Sequence, residues 1–425
     1  MRIQYLTEYF HSPREGGLMR TWEVSKFLAE KGHAVSVVVP AAHHMTGRLP
    51  DGFGRHIWRV SREGAVRVTR VWTATGFRGG YLQRLLYYLT TPIFTLLAAT
   101  RERPDVLMAS SPPFFLAPLA LVYCRLRRIP FVLEIRDMWL EFAVAKGMVP
   151  RPLVGMLHGL QSWVFRHADR IVAVTPGIQE IAVRQLGARG AETVCLVMNG
   201  YEEDVFRDAD PCRTDQIRQQ WALQDKFVVI YTGTMGLARD CMTFVRAAAL
   251  LKDEPDILFA FVGEGESKSE MVTFVADNRL ENCLFVPMQP RADMPAWLAA
   301  SAVGLNSIRA GEALESSLSN KIFDYLGAGI PCVFSGGGDT SDFLESSGGG
   351  LVVPAEDAAA LADAVRSLHR DPAMRERMGQ AGQRYVLENF ARTQLLIPLE
   401  ALLAEVAERN RSNRRAGPPS KPEAG

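Results

Sequence analysis

Several features that would assign this 425-residue chain to a specialised class of protein are missing from its sequence. The six cysteines lie far apart with no Cys-x-x-Cys pair, which argues against a disulfide framework and a thiolate zinc site. The histidines show no metal-ligand spacing, so we predict no metal. Because 48 basic and 47 acidic residues leave a formal charge of +1, no overall field favours nucleic acid, and we expect no nucleic-acid partner.

Long apolar runs are also missing. The nearest candidate for a membrane span, 112–124, is interrupted by prolines and falls short of the roughly 18 consecutive apolar residues that a span needs. The N-terminal sequence MRIQYLTEYF is polar from its first residues and lacks the apolar core of a secretory signal. We therefore expect a cytoplasmic protein without a transmembrane segment.

What the sequence does contain is a regular alternation of short apolar, β-branched runs with longer amphipathic segments. This alternation is typical of a parallel sheet covered by helices on both faces, and it restarts after an irregular stretch at 199–226. It predicts an α/β fold with two doubly wound, Rossmann-like domains that face a cleft. We place the N-terminal domain at 1–203, the C-terminal domain at 204–387, a helix that returns to the first domain at about 388–408, and a disordered tail at 409–425.

Glycines mark the first candidate binding loop. Gly16 and Gly17 follow the first predicted strand and precede a helix, where paired glycines let backbone amides approach an anion. A simple tight turn explains the same pair.

Two further glycine loops follow strands of the second domain. Gly233 and Thr234 precede Arg239, whose guanidinium would suit a diphosphate, although a solvated arginine fits equally well. Gly263 and Gly265, on either side of Glu264, permit an open turn that would border the cleft or merely connect a strand to a helix.

The segment SLSNKIFDYLGAGIP (317–331) is the most informative of the binding loops. Ser319 or Asn320 can cap a helix there, which places Lys321 in the first turn, where a cation opposes the helix dipole unless an anion is bound. Asp324 lies one turn later on the same face and could accept hydrogen bonds from the vicinal hydroxyls of a ribose. The alternative is an ordinary ion pair between Lys321 and Asp324.

Charged residues also follow a strand of the first domain. An apolar run ends there at Arg136, Asp137 and Trp139. Such an ending is typical of the rim of a site, and a buried ion pair between Arg136 and Asp137 is the alternative interpretation. Downstream, Asn199 and Gly200 form a turn signal near the linker that would shape the cleft.

The segment 78–101 has apolar residues at helical spacing and is either a core helix or a helix in a membrane interface. Two features favour membrane contact: the basic run at 123–130, and the tyrosine and arginine side chains of this segment. These side chains are Tyr81, Tyr87, Tyr88, Arg78 and Arg84.

Taken in order, the Gly-Gly loop, RDMW, NGYEEDVF, TGTMG, FVGEGE and NKIFDYLGAGIP resemble the retaining glycosyltransferases of family 4, which have the GT-B fold. The chain is most similar to the WbuB-like subgroup, which builds bacterial surface polysaccharides. The resemblance implies that a nucleotide sugar binds the second domain, with Arg239 and Lys321 facing its diphosphate and Asp324, where the family usually has glutamate, holding its ribose. The motifs and the resemblance together give Asp137, Arg239 and Lys321 as the candidate catalytic residues. The candidate donor-binding residues are Gly16, Gly17, Gly233, Thr234, Gly263, Glu264, Asn320 and Asp324.

The chain departs from the family pattern at its acid pair. Ser316 occupies the position of the first glutamate, Glu315 is one residue out of register, and Glu312 lies further upstream. Proline is also replaced by Ser319 before the Asn-Lys pair and by Leu140 after the tryptophan. These departures concern recognition of the donor sugar more than the diphosphate cations.

The resemblance therefore implies transfer of a hexose or aminosugar, with retention, from a UDP-sugar to a lipid-linked acceptor at the inner membrane face, in polysaccharide synthesis. No cofactor is expected besides the UDP-sugar substrate. Asp137, and after it Glu141, would accept a proton or position the acceptor. A nucleotide-sugar epimerase on the same fold and a non-catalytic sugar-nucleotide-binding protein remain as alternatives.

Overall fold

The two predicted sheets are present in the structure, a computed structural model. It describes residues 1–11, 19–42, 49–50, 52–75, 81–206, 209–236 and 238–415. Both sheets carry buried apolar clusters on their two faces, so the doubly wound arrangement is confirmed.

The first sheet has eight strands in the order β3-β4-β2-β1-β5-β6-β7-β8. They are β1 (Arg2–Leu6), β2 (Ala34–Pro40), β3 (Trp58–Glu63), β4 (Val66–Val71), β5 (Val106–Ser111), β6 (Phe131–Ile135), β7 (Arg170–Ala173) and β8 (Val194–Leu196). Contrary to the expectation of an all-parallel sheet, the edge strand β3 is antiparallel to β4. Gly64, at φ 60°, lets the chain reverse between them, and the mostly exposed β3 needs no covering helix.

The second sheet has six parallel strands in the order β11-β10-β9-β12-β13-β14. They are β9 (Phe227–Thr232), β10 (Ile257–Val262), β11 (Cys283–Val286), β12 (Val303–Ser307), β13 (Cys332–Ser335) and β14 (Gly350–Val353). The strand order reverses at β9, which pairs with β10 on one side and β12 on the other. Ligands of such sheets bind at the carboxyl ends of the strands beside this reversal.

Helices connect the strands and cover the sheets. They are α1 (Arg20–Glu30), α2 (Tyr81–Ala99), α3 (Leu116–Arg127), α4 (Trp139–Ala145), α5 (Arg151–His167), α6 (Pro176–Leu186), α7 (Gly190–Thr193), α8 (Glu203–Phe206), α9 (Pro211–Gln220), α10 (Met242–Leu250), α11 (Lys268–Asp277), α12 (Met294–Ala299), α13 (Glu312–Glu315), α14 (Asn320–Gly327), α15 (Asp339–Ser347), α16 (Ala358–Arg370), α17 (Pro372–Asn389), α18 (Arg392–Leu395) and α19 (Ile397–Arg415). The stretch 199–226, predicted to be irregular, thus contains α8 and α9.

The chain passes between the domains at two adjacent segments, 199–202 and 390–392. The Tyr201 amide donates to the Phe390 carbonyl at 2.8 Å. A Cβ atom on Gly200 would lie 2.5 Å from that same carbonyl oxygen, so only glycine permits this close approach. The turn signal at Asn199 and Gly200 therefore marks a real crossing.

After the second crossing, α19 returns to the first domain, as predicted, and buries Leu399 and Leu403 against the core of the first sheet. The prediction of one helix over 388–408 is wrong, because α17 ends at Asn389 and α19 begins only at Ile397. The prediction of disorder from 409 is also wrong as far as Arg415, which is helical. Residues 416–425 lie outside the described residues.

Candidate active site

A cavity of about 190 Å³ opens at the carboxyl ends of β9 and β10 and reaches the first turn of α14. Its lining includes six of the eight predicted donor-binding residues, Gly233, Thr234, Gly263, Glu264, Asn320 and Asp324, together with the predicted catalytic residue Lys321. The other two donor-binding residues, Gly16 and Gly17, lie outside the described residues. Three loops that are dispersed in the sequence therefore meet in one place.

Two glycines let β9 and β10 end side by side beneath this cavity. Gly233 has φ 105° and Gly263 has φ 147°, both in the region that favours glycine. A Cβ atom on Gly263 would lie 2.0 Å from the Gly233 carbonyl oxygen. The floor of the cavity therefore consists of closely packed backbone that no larger residue could form.

The α14 helix presents its N-terminus to the cavity. Its apolar side chains, including Ile322, Phe323 and Tyr325, are fully buried and fix the helix against the sheet. The predicted cap is absent: Ser319 occupies the N-cap position without a capping side-chain hydrogen bond, and Asn320 is already helical. The amides of the first turn are therefore left without a side-chain cap, as suits a helix that binds an anion.

Lys321 extends from the first turn of α14 into the same region. Its ammonium nitrogen lies 5.1 Å from the centre of the Tyr231 ring. Burial, and next the positive charge of Arg239, lower the pKa of Lys321 to about 7. Among the ion pairs of the described residues, none joins Lys321 to Asp324, so that alternative is wrong. Within the part of the chain that the structure describes, neither Lys321 nor Arg239 forms an ion pair with a carboxylate.

A second cavity of about 200 Å³ adjoins the first and lies between the domains. It brings Asp137 of the first domain to the same space as Arg239, Asn320 and Lys321 of the second. Loss of solvation between the domains raises the pKa of Asp137, and the charges of Arg136 and Arg239 oppose that rise.

The alternative of a buried Arg136–Asp137 pair is not found among the ion pairs of the described residues, and Asp137 lines the interdomain cavity instead. Arg136 instead approaches the Thr21 hydroxyl at 3.5 Å. Glu141 accepts a hydrogen bond from Gln161 of α5 at 2.8 Å, which directs it away from Asp137. Of the two candidate proton acceptors, only Asp137 lines the interdomain cavity.

The first acid of the family pair has no clear substitute. The Glu315 carboxylate accepts a hydrogen bond from the Gly311 amide of its own turn at 3.4 Å. The Ser316 carbonyl, in turn, accepts a 2.5 Å hydrogen bond from Thr175 of the first domain. Ser316 therefore contacts the first domain, Glu315 is bonded within its own turn, and neither lines the 190 Å³ cavity.

Sequence reasoning missed a buried ion pair that supports the cleft. Arg20 of α1 donates to Glu134 of β6 at 2.9 Å, and to the Val197 carbonyl at 2.9 Å and the Asn199 side chain at 3.0 Å. Its partners lie 114 or more positions away, so no local pattern reveals them. Arg291 was missed for the same reason and lines the 190 Å³ cavity beside Asp324.

An exposed apolar face covers one side of the first domain, across the adjacent helices α2, α3 and α5. Its side chains include Leu86, Leu89, Ile93, Leu97, Leu119, Val122, Leu126, Leu153 and Met156. Leu126 is 79% exposed, and Arg125, Arg127 and Arg128 surround it at the end of α3. We call this surface the apolar face.

Two of the three tyrosines that suggested a membrane interface, Tyr87 and Tyr88, are not part of the apolar face. Tyr87 is buried and donates to Glu8 at 2.8 Å, while Tyr88 packs on Trp139 with 5.5 Å between ring centres. The side chains of Tyr81 and Arg84, and all of Arg78, lie outside the described residues. The leucines of α2 form the exposed surface instead.

Within the described ranges, the helices include none that is both long enough and apolar enough to pass through a bilayer. The same part of the chain shows no cluster of three or more histidine, cysteine, aspartate or glutamate residues suited to a metal ion.

Comparison with known families identifies the protein family of this chain. A family model described as "Glycosyl transferase 4-like domain" matches residues 15–258, which is more than half of the chain. The chain belongs to this glycosyl transferase 4-like family. A second model, "Glycosyl transferases group 1", matches residues 226–371, so the two together cover every strand of this glycosyltransferase's two sheets except β1.

Similar proteins come from bacterial polysaccharide and lipopolysaccharide synthesis. WcaI of Escherichia coli K12, provisionally named a colanic acid biosynthesis glycosyl transferase, is 26% identical over 75% of this chain and 79% of its own length. The lipopolysaccharide core biosynthesis glycosyltransferase LpsE of Rhizobium meliloti is 25% identical over 93% of this chain and 98% of its own.

Solved structures confirm the GT-B fold. HepE of Anabaena, in complex with UDP-glucose, superimposes with a TM-score of 0.70 at 16% identity, over 97% of this chain and all of that one. The predicted fold and family are thus both correct.

Proposed function

We propose that this glycosyltransferase moves a sugar from a uridine diphosphate sugar to a lipid-linked acceptor in bacterial surface polysaccharide synthesis, with retained anomeric configuration. The observation that carries the proposal is the pairing of Lys321 and Arg239 at the uncapped N-terminus of α14, where the two cavities meet. HepE, which shares the fold, binds UDP-glucose, and WcaI and LpsE have names that refer to surface polysaccharides.

The site has the charge that a diphosphate needs. Burial lowers the pKa of Lys321 to about 7, and a bound diphosphate would favour the protonated, positively charged form. The Arg239 side chain donates only to the Ser307 carbonyl among the described hydrogen bonds, at 3.2 Å, which leaves guanidinium donors for phosphate oxygens. Two cations and helix amides would together neutralise the leaving diphosphate without a metal ion.

The reaction would proceed at the junction of the two cavities. The bond between the anomeric carbon and the β-phosphate oxygen breaks, and the acceptor oxygen forms the new bond on the same face of the sugar. The proton of the acceptor hydroxyl goes to the departing phosphate oxygen, so no separate base is required. Asp137 faces this space from the first domain and would hold the acceptor hydroxyl in position.

The apolar face supports a lipid-linked acceptor. Leu89, Leu97 and Leu126 are 45%, 52% and 79% exposed, although burial of a leucine side chain is favourable by about 1.5–3 kcal/mol. The neighbouring arginines of α3 suit anionic lipid headgroups. We propose that this face binds the inner membrane surface peripherally. A nucleotide-sugar epimerase needs no acceptor substrate, so its reaction would not require a surface that binds a membrane.

The test uses purified protein with a panel of uridine, guanosine and thymidine diphosphate sugars, with and without a bacterial lipid extract, in the presence of chelator. We expect one uridine diphosphate sugar to release nucleoside diphosphate only when the extract is added. Configuration is read by NMR of the product. Sugar interconversion without release would identify an epimerase, and nucleotide binding without turnover would identify a non-catalytic protein.

Lys321→Ala tests the residue on which the proposal rests. We expect turnover to fall about 100- to 1000-fold, because a charge that stabilises the departing diphosphate is lost. Lys252→Ala, which removes an exposed lysine of the same domain, serves as the control and should leave turnover unchanged. Equal activity of the two variants would exclude the proposed role of Lys321.

A further inference from the structure

The carboxylate of Asp324 is already engaged within the protein. Arg291 donates from Nη1 to Oδ2 at 2.7 Å and from Nη2 to Oδ1 at 2.9 Å, a two-pronged ion pair. The two side chains are 33 positions apart in sequence and both line the 190 Å³ cavity. An ionised carboxylate has about four lone-pair sites, so one on each oxygen remains available after this pairing.

Arg291 is itself held rigidly from its other side. Its Nη2 also donates to Glu202 at 2.8 Å, and its guanidinium lies 4.8 Å from the centre of the Phe206 ring. Glu202 in turn accepts a 3.1 Å hydrogen bond from Arg392 at the second interdomain crossing. Both the linker and the crossing segment therefore fix where the guanidinium, and with it Asp324, can lie.

Burial and charge act in opposite directions on Asp324. Its removal from water raises its pKa, and the Arg291 guanidinium is the strongest influence that lowers it. Aspartate is also one methylene shorter than the glutamate that the family resemblance implies here. Because an aspartate side chain has fewer rotatable bonds than glutamate, Asp324 must be both ionised and correctly oriented to accept hydrogen bonds from two hydroxyls.

We infer that Arg291 is a positioning residue for the nucleotide: it holds Asp324 ionised and oriented so that the free lone pairs accept the 2′ and 3′ hydroxyls of a ribose. The site thereby distinguishes ribonucleotides from 2′-deoxyribonucleotides. This inference rests on the proposed nucleotide-sugar function and adds a residue and a specificity to it.

The test compares UDP with 2′-deoxy-UDP by isothermal titration calorimetry. The ratio of the two affinities isolates the ribose, because the diphosphate contributes equally to both. We expect the wild-type protein to bind UDP about 10- to 100-fold more tightly, since a hydroxyl bonded to a charged acceptor is lost in the deoxy ligand. In Arg291→Met, the ratio should fall to about twofold or less.

A matched control is available in a second arginine–aspartate pair, whose aspartate, Asp293, lies two residues after Arg291. Arg213 of α9 also forms a two-pronged ion pair, donating from Nε to Oδ1 of Asp293 at 3.1 Å and from Nη2 to Oδ2 at 2.8 Å, on a more exposed surface. Arg213→Met removes an equivalent ion pair and should leave the ratio unchanged. Arg291→Lys keeps the charge but loses the fork, so we expect an intermediate ratio in a protein of unchanged melting temperature.

A pH series separates positioning from simple structural support. In Arg291→Met the ratio should rise again with pH as the buried Asp324 ionises, whereas the wild-type ratio should stay flat between pH 6 and 8. A ratio retained in both Arg291 variants overturns the inference, as does a wild-type protein that binds both nucleotides equally. Absence of any nucleotide binding by the wild type would overturn the proposed function as well.

Discussion

At the scale of single residues, the site contains two cations, Lys321 and Arg239, that form no ion pair among the described residues. Lys321 and Arg239 occupy a buried region with a depressed lysine pKa, and Asp324 is stabilised by Arg291 from a different loop. Stability alone would favour an anion beside Lys321. The arrangement is therefore one that a bound diphosphate completes.

The pKa of Lys321 predicts how donor binding depends on pH. Below pH 7 the free and bound states both carry a protonated lysine, so affinity for a nucleotide sugar is constant. Above pH 7 the free protein loses this proton while the bound diphosphate favours keeping it, so affinity should fall about tenfold per pH unit. Titration calorimetry at pH 6 to 9 measures this, since a nucleotide sugar does not itself titrate at its diphosphate there.

Two variants identify the lysine as the source of that dependence. Lys321→Arg stays charged throughout the range, so its affinity should be flat with pH, and Lys321→Ala should bind weakly at every pH. A slope that persists in Lys321→Arg would assign the titration to another group.

Residue identities were predictable from sequence where the chemistry was local. The Asn320, Lys321 and Asp324 cluster falls within five positions of one helix, and its placement on the cavity follows from that spacing. The partner of Asp324 was not predictable, because Arg291 reaches it only through the folding of a distant loop. The same applies to the Arg20–Glu134 pair.

At the scale of elements, the apolar runs gave correct strands wherever both faces of the sheet are buried. The β3–β4 hairpin escaped prediction because β3 is an edge strand whose side chains are mostly exposed and charged. Short helices α8 and α9 were also missed within a polar stretch. Tertiary packing, rather than local pattern, decides such elements.

The apolar face gives a prediction for membrane binding. Leu97→Gln combined with Leu126→Gln places two polar groups on a surface whose leucines are 52% and 79% exposed. We expect binding to vesicles that contain anionic lipid to fall about tenfold or more, because two apolar insertions are lost. Co-sedimentation with vesicles measures the partition.

The control for this variant is Leu250→Gln, which alters a leucine that is 55% exposed on α10 of the second domain. Its binding should match the wild type. Equal partition of both variants would show that the apolar face does not contact lipid.

At the scale of the whole molecule, the first domain is built from two distant parts of the chain. Leu399 and Leu403 of α19 are fully buried in the same cluster as Ile3 and Val35 from β1 and β2. The second domain, by contrast, has its sheet complete at Val353. The returning helix was foreseen from sequence, but its break at 390–396 was not, because that break is set by the crossing beside Tyr201.

This division predicts that a core substitution in α19 weakens the opposite end of the chain. Leu403→Ala should destabilise the first domain by about 2–5 kcal/mol, the usual cost of truncating a buried leucine. Hydrogen exchange should show lost protection in β1 and β2, with the second sheet unchanged. Leu387→Ala, at an exposed position of α17, is the control, and uniform loss across both sheets would contradict the prediction.

The dependence of the first sheet on α19 also has a consequence for synthesis on the ribosome. Strands β1 to β8 emerge early, yet one face of their sheet is completed only by residues 397–415. At a synthesis rate of roughly 5–20 residues per second, this face stays uncovered for on the order of ten seconds or more before α19 is made. The second domain can fold within that interval, so the nascent chain would complete its parts in reverse order and expose apolar surface to chaperones until α19 has emerged.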